Sequence, residues 1–163
     1  MSLVLHADAA LAPAVQSRPG DYVGLVTRAL AFGLDAAVIN AAAILTAAIV
    51  ALTLSLVSVP KEVRTVAVAC GAALYVVWGI GYFVTFWSTT GQTPGSRAMR
   101  IRVQAASGGG RLKPRRALLR FVGLTLAAIP LFAGFLLILV DDRRRGLHDR
   151  LARTVVVDAG DAG

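Results

Sequence analysis

The sequence predicts an all-α membrane protein: a two-helix transmembrane hairpin, a third apolar segment that either re-enters or spans, and a small cytoplasmic β pairing. Three observations carry that prediction. First, of 163 residues 56% are hydrophobic, a further 16 are glycine, and only 16% are charged. Soluble domains hold roughly 45–50% apolar residues, glycine included, and about 25% charged ones. A body this small cannot hide the surplus from water, and the same composition excludes disorder. Second, there are apolar runs long enough to cross lipid. Third, the formal net charge of +8 is concentrated in two stretches flanking the third of those runs.

Residues 1–19 are Ala- and Leu-rich with Pro13 and read as a flexible leader, and Arg18-Pro-Gly-Asp21 is a turn signal before the first helix. Ala29 to Val57 contains no charge except Asp35, and Val66 to Trp87 contains none at all. Each exceeds the ~20 residues that a helix needs to cross about 30 Å of hydrocarbon, and lipid leaves the backbone no other way to satisfy its hydrogen bonds. The first run is too long, and begins too far along the chain, for a cleaved signal peptide. Pro60, Lys61, Glu62 and Arg64 form a short connection, so the two helices make an antiparallel hairpin. Trp78, Tyr82, Phe83, Phe86 and Trp87 near the end of the second read as an aromatic belt.

The third run, Phe121–Val140, is interrupted by Pro130 and Gly134. The 88–120 loop before it holds eight basic residues and no acid, and the tail after it holds five more arginines. By the positive-inside rule both belong in the cytoplasm, which favours two half-helices of about 13 Å each over a full span. Arg100–Gln104 and Thr154–Val157 are the clearest strand-like pieces, and they can pair only on one side of a membrane. The expected organisation is a domain over residues 20–158 and a disordered tail over 159–163. The expected location is the bacterial inner membrane, with the N-terminus and the 88–120 loop cytoplasmic.

Asp35 is the leading candidate for function, because a carboxylate inside a spanning helix is costly unless paired, solvated or protonated. At 100° per residue, Arg28 and Thr46 lie within about 20° of its face and Thr53 falls directly on it, whereas Asn40 is about 140° away. Arg28, Asp35, Thr46 and Thr53 therefore form a polar stripe that should face protein or water. Arg28 in the first turn opposes the helix dipole, so an anionic headgroup, Asp149 or a neighbouring tail acid, or a partner subunit should hold it. The alternative reading is structural, with Arg28 anchoring the helix and Asp35 pairing with another helix or the tail. Arg97, Arg100, Arg102, Arg115, Arg116 and Arg120 read as contacts to anionic lipid at the interface.

No enzyme is expected. His148-Asp149 has only His6 as a further histidine, too few ligands for a metal phosphohydrolase, and no Gly-x-Ser-x-Gly elbow exists. Asp149 instead suits a helix cap or an arginine partner. No catalytic residue, metal or cofactor is assigned, and the arginines lack the fold context of a nucleic-acid binder. The single Cys70 excludes an internal disulfide and reads as a buried packing residue.

Tyr22-x-Gly24-x-x-x-Arg28-x-x-Ala31-x-x-x-Asp35, Thr93-x-Gly95, Arg100-Ile-Arg-Val103, Arg120 and Leu147-His-Asp149 before Thr154–Val157 occur in an order and spacing that resemble the bacterial RDD family of small integral membrane proteins. The resemblance covers about residues 20–158. It implies that Arg28, Asp35 and Asp149 are the family's arginine and two aspartates. Where the family usually has Lys after the loop glycine, this chain has Ser96 followed by Arg97. The resemblance brings no catalytic residue, but some members are linked to sodium/proton exchange.

Two functions are left. One is ion transport, Na+/H+ or proton coupled, through an oligomer, with Asp35 exchanging the ion and Arg28, Thr46, Thr53 and Asp149 as further pathway candidates. Two spans cannot enclose a path alone, and Ala67-x-x-x-Gly71 and Ala69-x-x-x-Ala73 would let helices pack closely. The other is a non-transporting accessory or scaffold subunit of a membrane complex that binds anionic lipid through its Arg-rich face. The bilayer, anionic lipids and a homo-oligomer or membrane partner are the expected associations.

Overall fold

A computed structural model describes residues 22–57, 59–108, 110–130 and 133–159. The whole expected leader, residues 1–19, and residues 160–163 of the expected tail lie outside them, but Ala159 is held, its N–H donating to the Arg100 carbonyl at 2.7 Å. The elements run α1 (Leu25–Leu56), α2 (Lys61–Thr89), α3 (Pro94–Ala98), β1 (Ile101–Ala105), α4 (Pro114–Ala128), α5 (Ala133–Val140), α6 (Leu147–Ala152) and β2 (Thr154–Asp158).

α1 and α2 are the two helices long and apolar enough to span a bilayer. Pro60 caps the start of α2, where its missing N–H costs nothing. The two helices behave differently at their two ends. α1 buries Arg28, Ala31, Asp35 and Ile39, a three- and four-residue spacing that marks one face. From Asn40 onward it is almost wholly exposed, as is α2 from Lys61 to Trp78. These apolar arms are the surface that lipid covers. Cys70, expected to be buried, stands on the exposed wall of α2.

All the remaining elements gather at the other end of the hairpin. Tyr82, Phe83 and Trp87 are buried there with Ala31, Ile39, Leu112, Ala117 and Val156 in the core. The expected aromatic belt is corrected accordingly: only Trp78 remains clearly outward, while Phe83 stacks on Phe32 at 5.0 Å and meets Trp87 at 5.1 Å. Belt and core draw on the same residue types, and the docking of α4 on α2 decides between them.

β1 and β2 pair antiparallel, Ile101 opposite Asp158 through Ala105 opposite Thr154. Tyr22 bridges to Val157, and the Val23 N–H donates to the Val156 carbonyl at 3.1 Å. The segment before α1, the α2–α4 connection and the tail thus share one sheet and one side of the hairpin. α4 and α5 are bent by 105°. β1 precedes this pair and β2 follows it, so the strands that flank it meet in one sheet, and the bend is that of a broken span or a re-entrant loop. Ile129 next to the bend and Leu136, Leu139 and Val140 along α5 are exposed.

Candidate functional site

Among the described residues, two acids are almost completely buried at the packed end, Asp149 at 0% exposure and Asp35 at 2%. They organise different parts of the fold.

Asp149 lies in the first turn of α6, where its Oδ2 accepts the Gly146 N–H at 3.1 Å and closes the helix start. The same oxygen accepts from Arg28 Nη1 of α1 at 2.7 Å. Oδ1 accepts from Arg120 Nη1 of α4 and from the Thr154 hydroxyl of β2 at 3.2 Å. One carboxylate therefore ties four elements and faces two guanidiniums. The excess positive charge is met by neutral groups. Arg28 also donates to the Arg144 and Val23 carbonyls at 2.7 and 3.0 Å. Arg120 donates to Thr154 Oγ1 at 2.7 Å and lies 5.0 Å over the Trp87 ring, a cation–π contact. Burial pushes the Asp149 carboxyl up, but the opposing charges prevail and hold it below the ordinary carboxylate value.

His148 is buried beside this network, its Nε2 3.5 Å from Asp149 Oδ2. Burial pushes its ring down from 6.5 to about 4, against the pull of Asp149 and with the repulsion of Arg120 and Arg28. Between those values an unfolded chain takes up a proton that the folded one refuses, so stability falls as pH drops from about 6.5 to 4 and is complete above 6.5. The expected loss is on the order of 3 kcal/mol. Thermal unfolding followed by tryptophan fluorescence should show it, and His148→Gln should flatten the slope; equal slopes in both proteins would refute it.

Asp35 is bound by a different set. Its Oδ1 accepts from the Tyr82 hydroxyl at 2.9 Å and from the Gly95 N–H at 2.7 Å, and its Oδ2 from the Thr93 hydroxyl at 2.5 Å. Thr93 is the N-cap of α3, accepting the Ser96 N–H at 3.2 Å, with Pro94 at the first helical position. This combination is a helix-start signature. Gly95 packs directly against α1: a Cβ there would overlap the Ala31 carbonyl oxygen and lie 2.9 Å from Asp35 Cγ. The Thr-x-Gly pair is thus the receptor for Asp35, two donors on a short helix that docks flat on α1.

The expected polar stripe divides. Arg28 and Asp35 are buried but go to separate partners, whereas Thr46 and Thr53 are exposed and donate back to the Ala42 and Ile49 carbonyls of their own helix, each at 2.9 Å. Asn40, off the stripe, also reaches α2, accepting from the Tyr75 hydroxyl at 3.2 Å. A helical wheel gives azimuth but not the depth at which neighbours end.

Of the basic residues assigned to the interface, Arg97, Arg100 and Arg115 are exposed and Arg102 and Arg116 half-buried. Arg120 is corrected: at 4% exposure it is an internal partner of Asp149 rather than a lipid contact. The signal was present, because Ala117, Gly123 and Ala127 surround it with a lane of small residues, all buried with it on one face of α4. A Cβ at Gly123 would come within 2.9 Å of His148 Cα, so that lane is what lets α6 approach.

No curated protein and no solved structure matches the chain. The RDD family model matches residues 22–153, which include Arg28, Asp35, Thr93, Gly95, Arg120 and Asp149. The chain is a member of the RDD family.

Proposed function

We propose that this RDD protein is a non-transporting accessory subunit of the bacterial inner membrane, without catalytic chemistry. The hairpin anchors it, and the packed end presents arginines to the anionic cytoplasmic leaflet and to a membrane partner. The observation that carries this reading is the engagement of both oxygens of Asp35 by three donors of its own fold. A carboxylate that exchanges ions needs a free coordination position and a polar route, and Thr46 and Thr53 face outward instead of continuing one. Clustered arginines at the cytoplasmic surface contribute about 1 kcal/mol each toward anionic lipid. This orientation puts the segment before α1, the 88–120 loop and the tail in the cytoplasm.

The second reading, transport through an oligomer, draws on a different observation. Gly71 is open, with nothing within 4 Å of where a Cβ would stand, so the small-residue lane on α2 is available to another copy. Proteoliposomes under sodium and pH gradients separate the two. The accessory reading expects wild type to move no more ions than empty vesicles and to bring down a stoichiometric membrane protein in mild detergent. Flux in wild type that Asp35→Asn abolishes would replace it with transport.

A further inference from the structure

The chain enters the bent α4–α5 pair at one point and leaves it at a nearby one, and between them lies a cleft that none of the buried contacts uses. It has a volume of about 570 Å³ and is lined by Ala106, Ser107, Arg116, Arg145, Arg150 and Arg153. Four of these six are arginines, from the first turn of α4, the loop after α5, α6 and its C-cap.

The arginines are not equivalent. Arg145 and Arg150 are set in place by Asp141, which accepts from Arg145 Nε at 3.0 Å and from Arg150 Nη2 at 2.6 Å. Asp141 sits behind them with its side chain 5% exposed, while Arg145 and Arg150 keep 30% and 47% of theirs. The hydrogen bonds from Arg145 and Arg150 hold its carboxyl well below the usual range, so this support stays charged throughout physiological pH. Arg116 and Arg153 have no acidic partner among the described residues. Arg153 adopts the left-handed conformation, φ 53°, which residues with a Cβ seldom take. The cleft is thus lined by four guanidiniums, and the carboxylate that holds two of them is not part of the lining.

We propose that this cleft binds phosphate groups: those of an anionic lipid headgroup or of a small soluble polyphosphate. Guanidinium forks match phosphate oxygens in pairs, and Ser107 adds a neutral hydroxyl to the lining. The volume falls within the ~300–1,000 Å³ of small-molecule sites, so it admits more than one phosphate. A position between the two ends of a re-entrant pair puts the cleft at headgroup depth. Only that placement rests on the orientation proposed above.

The test uses the full chain in a neutral detergent, with Arg116→Gln/Arg153→Gln as the variant and Arg64→Gln, on the distant end of α2, as the control. Calorimetry measures inorganic pyrophosphate, and native mass spectrometry measures retention of phosphatidic acid against phosphatidylcholine. The expected result is binding of pyrophosphate, phosphatidic acid or both, weakened at least tenfold in the double variant and unchanged in the control. Phosphatidic acid that displaces pyrophosphate identifies the headgroup as the source, and pyrophosphate bound without phosphatidic acid identifies a soluble one. Binding of neither above phosphatidylcholine, or equal binding by wild type and double variant, overturns the proposal. That failure leaves the accessory role standing, whereas Asp35-dependent ion flux would remove the accessory role and leave the cleft.

Discussion

Asp149→Asn is expected to destabilise the protein by about 3–5 kcal/mol, the range for removing one partner of a buried ion pair. The reason is what it leaves behind. Arg28 and Arg120, 9% and 4% exposed, would face each other without a carboxylate, and burial would then penalise both charges. The amide of Asn can still accept one hydrogen bond, but it supplies no charge and its NH2 would meet a guanidinium. Unfolding monitored through Trp87, which lies against Arg120, reads the effect directly in mild detergent. Arg115→Gln, at an exposed position on the same helix, should change stability by less than about 0.5 kcal/mol. Comparable losses in the two variants would show that the network around Asp149 is not what holds the four elements together.

Gly95→Ala is the second large effect, expected at about 3 kcal/mol or more for overpacking against rigid backbone. The added methyl would collide with the carbonyl of Ala31 and the carboxyl carbon of Asp35. Neither belongs to a flexible side-chain end, so α3 has to lift from α1. Lifting it strips Asp35 of the Thr93 and Gly95 donors together and leaves only Tyr82. Hydrogen exchange at the Gly95 and Ser96 amides should rise with the loss of stability. Gly33→Ala provides the comparison, because a Cβ at Gly33 in α1 meets nothing within 4 Å. There the exchange of glycine for alanine inside a helix should be neutral to favourable, by up to about 1 kcal/mol. If Gly95→Ala were equally harmless, the docking of α3 on Asp35 would be wrong.

The membrane hairpin was legible because hydropathy over 20 residues is a property of the chain alone. The strand pairing was legible for a related reason: two short branched runs outside the apolar segments had each other as their available partner. Asp149 was among the groups named for Arg28, since its tail position brings an acid to the correct side of the membrane. What stayed hidden were partners chosen by tertiary contact. Asp35 and Gly95 are 60 residues apart, and nothing in α1 marks its carboxylate as the receptor for a helix start. The stripe of Arg28, Asp35, Thr46 and Thr53 was a correct statement of azimuth, but α1 leaves the packed end after Ile39, and a shared face there no longer means a shared environment. Arg120 was grouped with Arg115 and Arg116 by proximity in sequence. Its small neighbours at helical spacing were the better guide, because close approach of another element requires them.

The Arg28–Asp149 bond joins residues 121 positions apart, and this separation has a consequence for biosynthesis. Chains emerge from the N-terminus, at roughly 5–20 residues per second. α1 is therefore made, and its arginine reaches the lipid boundary, many seconds before Asp149 exists. During that interval the hairpin is inserted but unlatched, and the strand that Tyr22 and β1 will join has not yet been translated. The last fifteen or so described residues act as a clasp that arrives after everything it fastens. A chain that stops short of them has its hairpin but lacks the carboxylate that Arg28 and Arg120 share.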